Sequence, residues 1–318
     1  MAEKVLVTRE IPEAGLRLLD GFDVSVLFER PPERGELLEA VRGADGVLST
    51  ATEKIDGEVL DAAGEGLKVV ANMAVGYDNI DVGAARKRGV VVTNTPGVLD
   101  ETTADVAFML MLAAARRLGE GERLLRAGRW EWWGPKQLRG LDVWGKKLGI
   151  LGLGRIGQAV ARRAKGFGME ILYHNRSRRV EAEKELGARY LGLRGLLAES
   201  DFISIHTPLT DETRHLIGEE ELEGMKPGAV LVNTSRGPVV DEGALAEALD
   251  NGRIFAAGLD VYEEEPKVNP RLLELENVVL APHIGSATIE TRDRMATLAA
   301  ENLVAVLRGE QPKTPVDS

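Results

Sequence analysis

An α/β protein with two doubly wound parallel sheets is the fold class this 318-residue chain predicts, and three observations carry the prediction. Short apolar runs alternate with amphipathic segments up to about residue 97. An apolar run from Lys147 then leads into Gly152-Leu153-Gly154-Arg155-Ile156-Gly157, glycines at the G-x-G-x-x-G spacing, and a helix-period pattern begins at once. Beyond it the alternation of strand and helix patterns resumes and continues to residue 285. Alternation of this kind buries strands on both faces, which is the condition of a parallel sheet covered by helices.

In the first region, Lys4–Thr8 reads as a strand, Pro12–Leu19 as a helix with proline near its start, and Asp23–Phe28 as a strand. Glu33–Arg42 follows as a helix and Gly46–Ser49 as a strand. Asp56–Ala63 reads as a helix capped by Asp56 and closed by Gly64. Lys68–Asn72 is a strand, Asp81–Arg88 a helix ended by Gly89, and Val90–Thr93 a strand. Without a glycine fingerprint, this region is not the dinucleotide half.

Asn94-Thr95-Pro96-Gly97 is a turn-rich break and marks a domain boundary. Thr102 to Arg117 is apolar on most faces, as a helix buried on several sides would be. Between Gly119 and Gly145 the pattern is irregular and holds all 4 tryptophans: Trp130, Trp132, Trp133 and Trp144. They read either as anchors of a loop on the core or as an oligomer arm that also shapes a substrate pocket.

In the second region strands are expected at Leu148–Leu151, Met169–Tyr173, Phe202–His206, Ala229–Asn233, Ala256–Asp260 and Val278–Ala281. Helices at Ile156–Gly166, Val180–Leu186, Leu193–Ala198, Glu219–Gly224 and Glu242–Asn251 separate them. This is the pattern of a Rossmann sheet. Gly152 permits the tight turn, Gly154 lets backbone approach a pyrophosphate, and Gly157 lets the helix pack on the sheet. The helix start at Arg155 and Ile156 offers N–H groups to phosphate. Ile289 to Arg308 is a long amphipathic helix that could return to the first region.

The end of the second strand of this sheet decides between dinucleotides. An NAD site places a carboxylate there for the ribose 2′-hydroxyl. Here the run is Tyr173-His174-Asn175-Arg176-Ser177-Arg178-Arg179, with no carboxylate and three arginines. Arg176 and Arg178 could pair with a 2′-phosphate, or simply begin a solvated helix. NADP(H) is therefore expected as the preferred cofactor, with NAD(H) possible.

Composition narrows the partners. A net charge of −11 would repel nucleic acid. No apolar run approaches the ~18 residues of a membrane span. The N-terminus enters a strand without signal-peptide features, so a cytoplasmic protein is expected. With 0 cysteines, disulfides, thiolate metal sites and cysteine nucleophiles are excluded, and no metal is expected.

Of 4 histidines, His215 lies in a polar segment and reads as a surface residue, and His174 ends a strand near the adenosine. His206, beside Thr207 and Pro208, ends a strand where loops line a cofactor crevice. His283 follows the last strand of the sheet on a loop constrained by Pro282 and Gly285, at the sheet edge where ligands bind. Arg236 and the Asp260-to-Glu265 run follow two other strand ends on the same edge. An arginine can hold a substrate carboxylate, a carboxylate can orient a histidine, and that histidine can give a proton to a keto oxygen as hydride arrives at carbon.

These residues resemble the D-isomer-specific 2-hydroxyacid dehydrogenase family along essentially the whole chain. The resemblance is carried by Val75-Gly76-Tyr77-Asp78-Asn79-Ile80-Asp81, the Gly152-to-Gly157 loop, Asn233 to Gly237, Gly258 to Pro266 and Pro282 to Thr288. Asn94 to Leu99 and His283 to Thr288 are similar to the glyoxylate/hydroxypyruvate reductase branch. The resemblance implies that His283 is the proton donor, Glu265 its partner, and Arg236 the carboxylate ligand, with Val75, Gly76 and Ser286 also binding substrate. It implies that Asp260 and Thr234 hold the nicotinamide carboxamide. Thr207, Pro208, Thr213 and Gly285 are also expected to line the cofactor, as are Asn175, Arg176, Ser177 and Arg178, the segment where the chain departs from NAD-preferring members. The resemblance further implies a flavodoxin-like substrate domain at 1–97 and 286–318, a cofactor domain at 98–285, closure between them, and a homodimer. The expected activity is reduction of small 2-keto acids, glyoxylate or hydroxypyruvate. A phosphoglycerate or D-lactate-type dehydrogenase, or a dinucleotide-sensing corepressor, are the alternatives.

Overall fold

The computed structural model describes residues 2–316. The chain divides into two compact units, one of residues up to Leu99 together with those from Ala287, the other Asp100–Ser286.

The first unit is a 5-stranded parallel sheet in the order β2-β1-β3-β4-β5, the doubly wound order of flavodoxin-like folds. Its strands are β1 (Lys4–Val7), β2 (Asp23–Val26), β3 (Gly46–Ser49), β4 (Val69–Asn72) and β5 (Val91–Thr93). The intervening helices are α1 (Glu13–Leu16), α2 (Arg34–Ala40), α3 (Gly57–Ala63) and α4 (Val82–Lys87). Asp56 caps α3 by accepting the Val59 N–H, and Asp81 caps α4 by accepting the Ala84 N–H. β3 and β4 are buried at every position, which explains their unbroken apolar runs. The chain's last helix, Ile289–Leu307, closes the other face. It packs on α1, β3, β4 and β5 through a buried stripe that includes Met295, Ala296, Ala299, Ala300 and Leu303.

The second unit opens with α5 (Asp100–Ala115) and α6 (Leu118–Arg126) and then builds a 7-stranded sheet. Its strands are β6 (Lys147–Leu151), β7 (Glu170–His174), β8 (Arg189–Tyr190), β9 (Phe202–Ile205), β10 (Val230–Asn233), β11 (Ala256–Leu259) and β12 (Val278–Leu280). Helices α7 (Arg155–Gly166), α8 (Val180–Leu186), α9 (Leu193–Glu199), α10 (Glu219–Glu223), α11 (Glu242–Asp250) and α12 (Pro270–Glu274) connect them; the Ile289–Leu307 helix is thus α13. The order β12-β11-β10-β9-β6-β7-β8 is all parallel and reverses direction between β6 and β9. Ligands bind in α/β sheets at that switch point.

Three expectations are corrected here. The stretch after Gly119 is not irregular throughout, because α6 runs to Arg126. Gly119 and Gly121 lower its helix propensity and hide it. The sheet has a seventh strand, β8, whose two residues are too short to show a period. The tryptophans do not anchor a loop on the core: Trp130 is 51% exposed, and Trp132, Trp133 and Trp144 more so.

No helix among the described residues is long and apolar enough to cross a membrane.

Candidate active site

The glycine loop joins β6 to α7. Gly152 has φ +101°, and a Cβ there would lie 2.7 Å from the His206 carbonyl. A Cβ on Gly157 would fall on the Gly152 carbonyl oxygen, so close helix-to-strand packing demands glycine. Gly154, the N-cap of α7, faces open space. The first-turn N–H groups at Arg155, Ile156 and Gly157 have no carbonyl one turn earlier to accept them, which makes this helix start able to take an anion.

Asn175 braces this loop from the end of β7, its Oδ1 accepting the Leu153 N–H at 2.6 Å. Around it, Tyr190 donates its hydroxyl to the Asn175 carbonyl at 3.3 Å, and His174 Nδ1 lies 2.9 Å from the Leu191 carbonyl. Arg176 and Ser177 are exposed. Arg178 is ion-paired with Glu183 at 2.6 Å, a partner the sequence reading missed.

Beyond β9, Ser204 Oγ lies 2.8 Å from His206 Nε2, and burial pushes the His206 imidazole down to about 4, which keeps it neutral. Thr213 Oγ1 donates to the Pro208 carbonyl at 2.7 Å and accepts the Thr210 N–H at 2.8 Å, so it braces its own loop. His206 Nδ1, Thr207 Oγ1 and Thr234 Oγ1 are buried without a hydrogen-bond partner among the described residues. Orphaned polar atoms at consecutive strand ends, beside an open glycine and a helix N-terminus, fit a bound dinucleotide that would satisfy them.

Three further strand ends build the reactive edge. After β10, Asn233 Oδ1 accepts the Ser235 N–H and hydroxyl, while its Nδ2 donates to the Arg236 carbonyl at 2.9 Å. Arg236 Nη1 donates to the Ser235 carbonyl at 2.9 Å. After β11, Asp260 is buried and accepts the Ile284 and Gly285 N–H groups, each at 2.7 Å. Burial raises its carboxyl above the ordinary value, and the two amides pull it back. After β12 comes His283, in the left-handed region at φ +54°. Its Nδ1 lies 2.8 Å from Glu265 Oε2, and Glu265 Oε1 accepts the Tyr262 N–H at 3.0 Å. Burial pushes the Glu265 carboxyl up, but the hydrogen bond and charge of His283, the Tyr262 amide and the Arg236 charge bring it below the ordinary value. Tyr262, which no motif singled out, donates its hydroxyl to the Ala281 carbonyl at 2.8 Å and ties the two loops together. Ser286 is half-buried just beyond Gly285.

His215 is half exposed, as expected of a surface residue, and its Nε2 lies 3.1 Å from Glu263. In the first unit, Asn94 Nδ2 donates to the Val75 carbonyl at 2.8 Å and Asn72 Nδ2 to the Gly76 carbonyl at 2.9 Å. Pinning both carbonyls fixes the amides of that loop. Neither the Val75 nor the Gly76 N–H has an acceptor among the described residues. No group of three or more His, Cys, Asp or Glu among the described residues could hold a metal ion.

A dinucleotide cradle at the switch point of a parallel sheet, with a histidine–carboxylate pair and an arginine on the same edge, defines a nicotinamide-dependent oxidoreductase. Residues 108–285 match the family described as D-isomer specific 2-hydroxyacid dehydrogenase, NAD binding domain. The chain is 54% identical over 323 residues to a glyoxylate reductase of Thermococcus litoralis, covering 100% of this chain and 97% of that one. It is 56% identical over 321 residues to a glyoxylate reductase of Korarchaeum cryptofilum, covering 100% and 96%. Among solved structures, an NADPH-dependent glyoxylate/hydroxypyruvate reductase of Sinorhizobium meliloti, in complex with NADP and malonate, is similar at a TM-score of 0.87 and 38% identity, covering 99% of this chain and 97% of that one. The chain belongs to the D-isomer-specific 2-hydroxyacid dehydrogenase family and is an NAD(P)-dependent enzyme of that class.

Proposed function

We propose that this enzyme reduces small 2-keto acids, glyoxylate to glycolate and hydroxypyruvate to D-glycerate, and prefers NADPH to NADH. The observation that carries the reading is the His283–Glu265 pair at 2.8 Å on the same sheet edge as Arg236. The nicotinamide supplies the hydride when bound. Arg236 binds the substrate carboxylate through its guanidinium, and the resemblance adds the Val75 and Gly76 amides and Ser286 as further contacts to substrate. His283, held by Glu265 through Nδ1, presents Nε2 to the keto oxygen and gives it a proton as the carbinol carbon forms. Asp260 keeps the histidine loop in place, and with Thr234 is assigned the carboxamide side of the cofactor. Gly152, Gly154, Arg155, Ile156 and Gly157 hold the pyrophosphate.

The arginines at 176 and 178 support the NADPH preference, since no carboxylate ends β7 to repel a 2′-phosphate. A cytoplasmic homodimer belongs to the same reading. Its support is the exposed apolar surface of Leu118, Leu125, Trp130, Trp132 and Trp133 on α6 and the segment after it. Light scattering at micromolar concentration tests the dimer.

The test of function is initial rates with glyoxylate, hydroxypyruvate and pyruvate, each with NADPH and NADH. Fast glyoxylate and hydroxypyruvate turnover with NADPH preferred is expected. Absence of turnover with every pair would sink the reading.

A further inference from the structure

Arg178 is exposed, yet its guanidinium is held by neighbouring side chains. Its Nε and Nη2 donate to the two carboxylate oxygens of Glu183 at 3.0 and 2.6 Å, and the guanidinium carbon lies 5.7 Å from the centroid of the Tyr190 ring. The buried Tyr173 donates its hydroxyl to the same carboxylate and accepts the Arg179 N–H at 2.8 Å. Glu183 is thus restrained from two sides, with a side chain only 14% exposed. Hydrogen bonds from Arg178, then from Tyr173, hold its carboxyl down at about 2, so it is ionised wherever the enzyme works.

Arg176 differs. Among the described residues it makes no hydrogen bond or ion pair, and its charged neighbour is Glu212. A phosphate monoester reaching this loop would meet Arg176 with its donors unengaged. At Arg178 it would meet a bidentate pair whose charge is already offset. To use Arg178 fully, the phosphate must displace Glu183, which strands the Tyr173 hydroxyl, or else bind beside a carboxylate that repels it. A cofactor with a 2′-hydroxyl meets neither obstacle.

We propose that Glu183 is a specificity-determining residue, a counter-charge on Arg178 that tempers the preference for a 2′-phosphorylated dinucleotide and leaves NADH usable. The inference rests on the reading of Arg176 and Arg178 as 2′-phosphate contacts, and its test separates the two.

Adenosine 2′,5′-bisphosphate and adenosine 5′-monophosphate isolate the 2′-phosphate, and calorimetry on the full chain measures their affinities without turnover. Glu183→Gln removes the charge and keeps the shape. It is expected to bind the bisphosphate about three- to tenfold more tightly. Its affinity for the monophosphate, expected within about twofold of the parent, also reports that the site is folded. Glu183→Ala is the second variant and is expected to move the same way. Arg178→Gln should weaken the bisphosphate about tenfold. If both Glu183 variants bind the bisphosphate no more tightly while Arg178→Gln loses affinity, the counter-charge is overturned and the arginine reading stands. If neither Arg176→Gln nor Arg178→Gln changes bisphosphate affinity, the arginine reading falls and takes this inference with it.

Discussion

Asp260 accepts the Gly285 N–H at 2.7 Å, two residues beyond His283. With the matching bond from Ile284, also at 2.7 Å, one buried carboxylate anchors the loop on which the histidine holds a left-handed backbone. A non-glycine residue keeps such a conformation only where its surroundings over-determine it.

Asp260→Asn should therefore disturb the histidine without touching it. An amide can accept from one of the two N–H groups and sets its own NH2 against the other. The expected cost is about 1–3 kcal/mol of stability, with a fall in kcat exceeding any change in the affinity for dinucleotide. Thermal unfolding and cofactor titration check both parts. An Asn variant with parental kcat would remove Asp260 from the positioning of His283.

The glycines of the β6–α7 loop should separate by role. Gly157→Ala places a methyl on the Gly152 carbonyl and is expected to destabilise the second unit by about 1–3 kcal/mol. Gly154→Ala meets open space in the protein and should leave the melting temperature unchanged while raising the KM for NADPH. Parental cofactor affinity in Gly154→Ala would mean that no pyrophosphate approaches there.

Arg236→Ala is expected to lower kcat/KM for glyoxylate about tenfold to a hundredfold, with NADPH affinity retained. His283→Ala should lose about a hundredfold or more in kcat, again with NADPH bound normally. Kinetics that persist in either variant would move the substrate site elsewhere.

Glu265 predicts a pH dependence of stability. Its folded carboxyl titrates below its ordinary value, so its contribution is present above that value and lost as pH falls through the lowered one. Thermal stability should accordingly decline on acidification below about pH 5, and Glu265→Gln should flatten part of that decline. Superimposable pH profiles for the two proteins would show that the His283 contact contributes nothing.

Much of this architecture is legible in the chain because a buried parallel strand leaves little freedom in sequence. Gly46–Ser49 and Val69–Asn72 are apolar up to their last residue, and the caps at Asp56 and Asp81 mark helix starts without help from packing. Elements too short or too glycine-rich for a period, such as Arg189–Tyr190 and Leu118–Arg126, are not legible in this way. Nor are the partners of polar side chains at strand ends. Asn175, Thr213 and Asp260 stand at positions a cofactor site would use, yet each is turned onto backbone of its own unit. Which N–H group lies within reach of a carboxylate depends on loops brought together from distant sequence, and no spacing rule records it. The pairing of Arg178 with Glu183 escaped for the same reason. Five residues of separation is not the spacing of neighbours on a helix, and Arg178 lies before α8 begins.

The return of α13 to the first unit sets an order of events during synthesis. Residues 100–286 form a continuous stretch, and their unit can complete its core as soon as they emerge. The five strands before them emerge earlier, but one face of their sheet stays uncovered until Met295, Ala296, Ala299, Ala300 and Leu303 have been made. The part of the chain translated first is thus the last to be finished, and its bare sheet face is what a nascent-chain chaperone would have to shield.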